Sequence, residues 1–201
     1  MQKNLIYLCG PHGSGKTTLG KEIRKEDSRI VIPELFSRNV KFSIEDAEYR
    51  QVLKIGARAI ENFEYLNYAK NNPEKIILGN RCIYDVLAYN WIYFMKGWIN
   101  EQTYNNYNLF TLCSFKNENL EPLAIIVSPG MDAVKRHLQK RWNEKGKKWR
   151  EEDMQYAKLA CQAYERFNFK KNILYLDKEI NLESGEDIKI AYKWIKNKTL
   201  D

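Results

Sequence analysis

The sequence has little that would indicate a disulfide framework, a zinc site or a metal-binding histidine cluster. The four cysteines are Cys9, Cys82, Cys113 and Cys161. They are far apart and form no C-x-x-C pair, so they indicate neither a disulfide framework nor zinc, and they are typical of a reduced, cytoplasmic protein. The two histidines, His12 and His137, have no partners at ligand spacing, and we assign neither of them to a metal.

Long apolar runs are also missing. The N-terminus has no apolar segment with a cleavage site that would predict a signal peptide. The most apolar later stretch, residues 91–99, is interrupted by Lys96 and is shorter than the roughly 20 residues of a membrane helix. No repeat or low-complexity tract is present. We therefore expect a soluble, cytoplasmic protein with no membrane partner, and 201 residues suit one domain spanning 1–201.

The positive charge is concentrated in one segment. The net charge is +7, and residues 135–150 contain eight cations against one acid, Glu144. These cations are Lys135, Arg136, Lys140, Arg141, Lys145, Lys147, Lys148 and Arg150. The rest of the chain is nearly neutral, so the pattern favours a local anionic ligand over a surface coated for nucleic acid. Nucleic acid remains a less favoured partner, and a homodimer is left open.

The most specific motif is a phosphate-binding loop, in which Gly10, Gly15, Lys16 and Thr17 fill the pattern G-x-x-x-x-G-K-[ST]. The glycines let the backbone approach a triphosphate, Lys16 would reach the β- and γ-phosphates, and the Thr17 hydroxyl would bind Mg²⁺. An apolar, strand-like run precedes the loop and a helical pattern follows it, as the motif requires. The residues assigned to ATP in this loop are Gly10, His12, Gly13, Ser14, Gly15, Lys16, Thr17 and Thr18.

Strand-like runs alternate with helical patterns, which predicts an α/β fold with a five-stranded parallel sheet and helices on both faces. The predicted strands are residues 4–9, 29–33, 75–78, 123–127 and 173–176. About seven helices are expected, including a long one over 45–71 whose buried face would contain Val52, Ile55, Ala59, Phe63 and Leu66.

In such sheets, ligands bind beyond the carboxyl ends of the strands. The second strand ends near Glu34 and the third near Asn80 and Arg81, so these residues should share one rim with the phosphate loop. Glu34 is our candidate general base, and it would also contribute to the Mg²⁺ site. Arg81 would hold phosphate, although pairing with Asp85 one helical turn later is the alternative.

Three segments resemble the deoxynucleoside kinases and thymidylate kinases, namely P-E-L-F-S-R from Pro33, I-I-L-G-N-R-C from Ile76 and Y-D-V-L-A-Y from Tyr84. The resemblance implies a three-layer P-loop kinase fold in which Glu34 is the base and Arg38, four residues later, is a substrate-binding residue. Position 80 departs from the family, because it is Asn where an acid is usual. Position 82 is Cys rather than Ser.

The resemblance also implies an acceptor site and a lid. Gln51, Arg58 and Asp85 are the candidate substrate-binding residues, and Arg58 fits both families. The basic segment, about residues 136–153, resembles the kinase lid, in which Arg136 and Arg141 would close over ATP.

The leading hypothesis is transfer of a phosphoryl group from ATP to the 5′-hydroxyl of a (deoxy)nucleoside, with Mg²⁺ as cofactor. The first alternative is a nucleoside monophosphate kinase of thymidylate kinase type. Pro33, which stands where thymidylate kinases carry an arginine, favours a nucleoside acceptor. A polynucleotide 5′-hydroxyl kinase or RNA-binding ATPase and a non-catalytic nucleotide sensor are further alternatives.

Overall fold

A five-stranded, all-parallel sheet with strand order β2-β3-β1-β4-β5 is the centre of the computed structural model. The structure describes residues 2–35, 46–115, 120–146, 152–168 and 170–199. The strands are β1 (Leu5–Cys9), β2 (Ile30–Val31), β3 (Ile76–Asn80), β4 (Leu123–Val127) and β5 (Ile173–Leu176). The described helices are α1 (Lys16–Glu26), α2 (Ala47–Asn71), α3 (Ile83–Met95), α4 (Glu101–Phe115), α5 (Gly130–Lys145), α6 (Met154–Glu165) and α7 (Glu186–Thr199).

The central strands are apolar on both sides because helices cover both faces of the sheet. Every residue of β1 and β4 is buried. Alternate residues of β1 enter two separate cores: Leu5 and Tyr7 pack with α2, α3 and α6, whereas Ile6 and Leu8 pack with α1 and α7. This arrangement brings the carboxyl ends of β1, β2 and β3 to one edge of the sheet.

Two helices that border this edge are fixed by local caps. The Asp46 side chain accepts a hydrogen bond from the Tyr49 backbone N–H at the start of α2. At the start of α3, Cys82 and Asp85 form a reciprocal capping box, in which Asp85 Oδ2 accepts from the Cys82 backbone N–H at 3.0 Å. Such caps typically stabilise a helix by about 1 kcal/mol, and they also set the direction in which the helix leaves the sheet.

The structure confirms the α/β fold, the five parallel strands and the helices predicted on both faces. Two details were wrong. The second strand covers only Ile30–Val31, because Pro33 has no backbone N–H to extend the ladder. Phe63 is 56 % exposed, and the buried face of α2 includes Gln51 and Tyr65 together with Ile55, which was predicted correctly. Within the described residues, no helix has the length and apolar character needed to cross a membrane.

We expect two Gly→Ala substitutions to act in opposite directions. A Cβ at Gly79 in β3 would lie 2.6 Å from the Tyr7 ring, whereas a Cβ at Gly56 in α2 would meet nothing within 4 Å. Gly79→Ala should therefore lower the free energy of unfolding by about 1–3 kcal/mol through overpacking. Gly56→Ala should raise it by about 0.5–1 kcal/mol through helix propensity. Urea denaturation measures both, and equal effects of the two substitutions would contradict the packing shown here.

Candidate active site

The phosphate loop connects β1 to α1 with a backbone that suits glycine. Gly10, Gly13 and Gly15 have φ values of 138°, 77° and 96°. A Cβ at Gly10 would lie 2.1 Å from the Val127 carbonyl oxygen, so this position excludes every other residue type. The loop ends where α1 begins, and Thr17 and Thr18 are exposed in the first turn of that helix. Open N–H groups and a helix N-terminus at one point suit the binding of a polyphosphate.

Lys16 is folded onto the loop. Its Nζ atom donates hydrogen bonds to the carbonyl oxygens of Gly10 (2.9 Å) and Pro11 (2.6 Å) and to Ser14 Oγ (3.1 Å). The pKa of Lys16 is lowered from 10.5 to about 7, mainly by burial and in smaller part by the positive charge of Arg81, while the negative charge of Asp85 opposes the shift. The ammonium thus occupies a site where the negative charge of a phosphate would favour the charged form.

Asp85 joins the phosphate loop to the tip of β3. Besides capping α3, its carboxylate accepts hydrogen bonds from Arg81 Nη1 at 2.9 Å and from the Tyr164 hydroxyl of α6 at 2.6 Å. The Gly10 backbone N–H also points to it, at 3.5 Å. The Arg81 side chain is only 9 % exposed, and its backbone has a φ of 70°, which is strained for a residue with a Cβ. The pairing of Arg81 with Asp85 that the sequence offered as an alternative is therefore present.

Beside this cluster lies an acceptor cavity of about 270 Å³, bounded by α2, α3, α6 and the phosphate loop. Its lining contains four cations, one carboxylate and three tyrosines among other residues. The lining residues are His12, Arg50, Gln51, Lys54, Arg58, Arg81, Asp85, Val86, Tyr89, Tyr93 and Tyr156. All three candidate substrate-binding residues that the structure describes, Gln51, Arg58 and Asp85, line this one cavity.

The polar groups of α2 are held in place around the cavity. Gln51 Nε2 donates to Asn90 Oδ1 at 2.7 Å, and Asn90 Nδ2 donates in turn to Thr111 Oγ1 at 3.2 Å. Arg58 pairs with Glu61 one turn later on α2. The pKa of Lys54 is lowered from 10.5 to about 8, mainly by burial and in smaller part by the neighbouring positive charges of Arg58 and Arg50. These fixed side chains form a polar wall on one side of the cavity.

The candidate general base and the candidate Mg²⁺ ligands lie outside the lining of this cavity. Glu34 is exposed three residues beyond the end of β2, at the same sheet edge as Asn80 and Arg81, and it does not line the acceptor cavity. Thr17 is exposed at the start of α1. Arg38 lies outside the described residues. The backbone of the phosphate loop suits a triphosphate, and a Mg²⁺ ion would have Thr17 and Glu34 as its candidate ligands, since position 80 is an amide.

The described part of the proposed lid is anchored by ion pairs. Arg136 Nη2 lies 2.5 Å from Glu179 Oε2 in the segment between β5 and α7. Arg141 is half-buried, and its charge contributes to lowering the pKa of Lys16, which places it near the phosphate loop. Asp153 caps α6 and pairs with Lys96 at 2.8 Å. Lys147, Lys148, Arg150 and Glu151 lie outside the described residues.

Several site residues were missed from the sequence. Arg50 and Lys54 precede Arg58 at intervals of four, and this spacing predicts one helical face. His137 was treated as an ordinary helix residue, yet its ring contacts the phosphate loop. Tyr164 is 79 positions from Asp85, and no local sequence signal connects the two residues.

The fold and the loop define a P-loop α/β protein whose sheet edge presents a phosphate site beside a polar cavity. A family model described as "AAA domain" matches residues 5–177, and the chain belongs to this family. No curated protein sequence matches the chain.

Solved structures of deoxyadenosine kinase from M. mycoides share the fold. The structure with bound dATP has a TM-score of 0.66 at 16 % identity, and the one with products dCMP and a flexible dCDP has 0.67 at 16 % identity. A third, with bound dCTP, has a TM-score of 0.60 at 14 % identity. Each comparison covers 96 % of this chain and 99 % of the other.

Removal of the Lys16 charge should stabilise the nucleotide-free protein. Below pH 7 the ammonium is charged in the folded and the unfolded chain, so the folded state bears the full cost of burying it. Between pH 7 and 10.5 the unfolded chain binds more protons, so this cost declines as pH rises. One pKa unit corresponds to about 1.4 kcal/mol. Lys16→Met should therefore raise the free energy of unfolding by a few kcal/mol at pH 6 and by much less near pH 10.

Thermal unfolding at several pH values measures this gain, and Lys21→Met, at an exposed position of α1, is the control. A gain in stability that does not depend on pH would contradict the conclusion that burial depresses the pKa of Lys16. The same Lys16 variant should lose affinity for ATP.

Proposed function

We propose that the protein transfers the γ-phosphoryl group of ATP to a (deoxy)nucleoside bound in the acceptor cavity, with the 5′-hydroxyl as the receiving group. The observation that carries this proposal is the position of the cavity, which adjoins the phosphate loop: His12 of the loop lines it, and so does Asp85, whose carboxylate faces the Gly10 N–H. A donor site and an acceptor site in contact are what phosphoryl transfer requires. The fold shared with deoxyadenosine kinase supports the same class of reaction.

Each residue has a definite part in this proposal. The loop N–H groups and Lys16 bind the donor phosphates, and Arg81 stabilises charge between donor and acceptor. Glu34, from the neighbouring strand, accepts the proton of the acceptor hydroxyl. Gln51 orients the acceptor through an amide that Asn90 holds in place. Mg²⁺, for which Thr17 and Glu34 are the candidate ligands, would supply neutralisation of phosphate charge.

Incubation of the purified protein with labelled ATP, Mg²⁺ and a panel of nucleosides, nucleoside monophosphates and 5′-hydroxyl oligonucleotides tests the proposal. We expect label on a nucleoside. Label on none of the acceptors would refute phosphoryl transfer, and label on oligonucleotides alone would favour the polynucleotide kinase of the sequence analysis.

Glu34→Gln should lower turnover about 100-fold, because it removes the proton acceptor while leaving the phosphate loop intact. The dissociation constant for ATP should remain within about twofold. Glu74→Gln is the matched control, since Glu74 is exposed two residues before the amino end of β3, at the opposite edge of the sheet. Near-normal turnover of the Glu34 variant would remove this residue from the role of base.

The charge of the acceptor cavity favours a second candidate, a nucleoside monophosphate acceptor. Arg50, Lys54 and Arg58 succeed one another at intervals of four on α2, and all three line the cavity together with Arg81. The carboxylate of the lining, Asp85, already accepts from Arg81. A phosphate group in this cavity would favour the charged form of Lys54, whose pKa the surrounding cations depress.

Lys54→Gln separates the two candidates. If the acceptor is a monophosphate, loss of this cation should raise the KM for the monophosphate about tenfold and leave turnover at saturation nearly unchanged. If the acceptor is a nucleoside, its KM should change less than about threefold. Lys70→Gln, exposed in the last turn of the same helix, is the control. Steady-state kinetics with a nucleoside and its monophosphate measure the difference.

A further inference from the structure

His137 connects three elements of the donor side. Its Nδ1 atom lies 2.7 Å from the carbonyl oxygen of Gly13 in the phosphate loop. Its Nε2 atom lies 2.7 Å from Glu179 Oε1, while the other oxygen of Glu179 binds Arg136 at 2.5 Å. The imidazole on α5 thus bridges the phosphate loop and the segment that follows β5.

Both partners of the His137 ring are acceptors. A carbonyl oxygen has no hydrogen to give, and a carboxylate that is paired with arginine is ionised. Each ring nitrogen therefore faces an acceptor to which an N–H group can donate. Hydrogen bonds from Arg136 and His137 also hold the pKa of the Glu179 carboxyl below its usual value, which keeps the carboxylate ionised.

The bond to Gly13 determines how the next peptide group faces. No cis peptide occurs among the described residues, and in a trans peptide the C=O and N–H groups point in opposite directions. His137 draws the Gly13 carbonyl outward to α5, so the Ser14 N–H points into the loop, where it meets the Pro11 carbonyl at 3.3 Å. Gly13 also packs directly on α5, since a Cβ there would lie 3.0 Å from Leu138 Cγ.

We propose that His137, held by Glu179, is a positioning residue that fixes the Gly13–Ser14 peptide, and with it the loop N–H groups beside that peptide, before a triphosphate binds. An N–H group that is fixed before the ligand arrives loses no orientational freedom on binding, so this bond should strengthen ATP affinity. The proposal rests on the proposed use of the loop to bind a triphosphate, and it is independent of the acceptor. Because His137 is 33 % exposed, its replacement leaves the core intact.

Two neutral substitutions separate positioning from charge. In His137→Asn the amide nitrogen takes the place of Nδ1 and keeps the donor to Gly13. In His137→Gln the amide nitrogen takes the place of Nε2 and keeps the donor to Glu179 instead. Both replacement side chains are neutral amides, so the two variants differ in the position of the donor.

We expect His137→Gln and His137→Ala to weaken ATP binding about tenfold, which corresponds to the loss of one hydrogen bond. His137→Asn should stay within about threefold of the unaltered protein. Equilibrium binding of ATP without acceptor measures the affinities, and thermal unfolding checks that each variant is folded.

Equal ATP affinities for the Asn and Gln variants, whether weakened or not, would overturn the positioning role. Absence of measurable ATP binding by the unaltered protein would instead overturn the proposed function, and this inference with it. The two failures are therefore distinguishable.

Discussion

The site depends on the hydrogen bonds that the buried carboxylate of Asp85 accepts. This buried group holds the start of α3 through Cys82, the side chain of Arg81, the hydroxyl of Tyr164 and, at longer range, the first glycine of the phosphate loop. A buried carboxylate is tolerated only when it is paired and hydrogen-bonded, so each of these bonds is required by the burial itself. The same contacts fix the relative positions of β1, β3, α3 and α6.

The strained backbone of Arg81 directs its side chain toward Asp85. Its positive φ turns the chain sharply at the end of β3, and the Arg81 N–H still donates to the Leu8 carbonyl of β1 at 3.0 Å. The guanidinium thereby returns toward Asp85 and lies over the Tyr89 ring, 5.4 Å from its centroid. A relaxed backbone would direct this side chain elsewhere, so the strain and the buried ion pair sustain each other. In the proposed reaction, this arginine would lie between the donor and acceptor sites.

The sequence predicts those parts of the site that depend on local pattern. The phosphate loop, the polar residues that follow the second and third strands and the i, i+4 pair Arg81–Asp85 are all set by residues near one another in the chain. Gln51, Arg58 and Asp85 came from resemblance, and they line one cavity. Phe63 was misplaced because apolar periodicity does not reveal that Gln51 and Glu61 are buried instead. Contacts such as Tyr164–Asp85 and His137–Glu179 arise from packing between distant segments, for which a single sequence carries no signal.

The environment of Lys16 also shows how one buried charge lowers the stability of the fold and favours nucleotide binding. Lys16 satisfies its ammonium with three acceptors of its own loop, yet desolvation still depresses its pKa. A triphosphate that replaces these acceptors brings the negative charge that the buried ammonium lacks, while the carbonyls of Gly10 and Pro11 must then find other donors. The cost of burying Lys16 in the free protein is thus recovered only when an anion is bound. This makes the loop a selective site for strongly anionic ligands rather than for neutral ones.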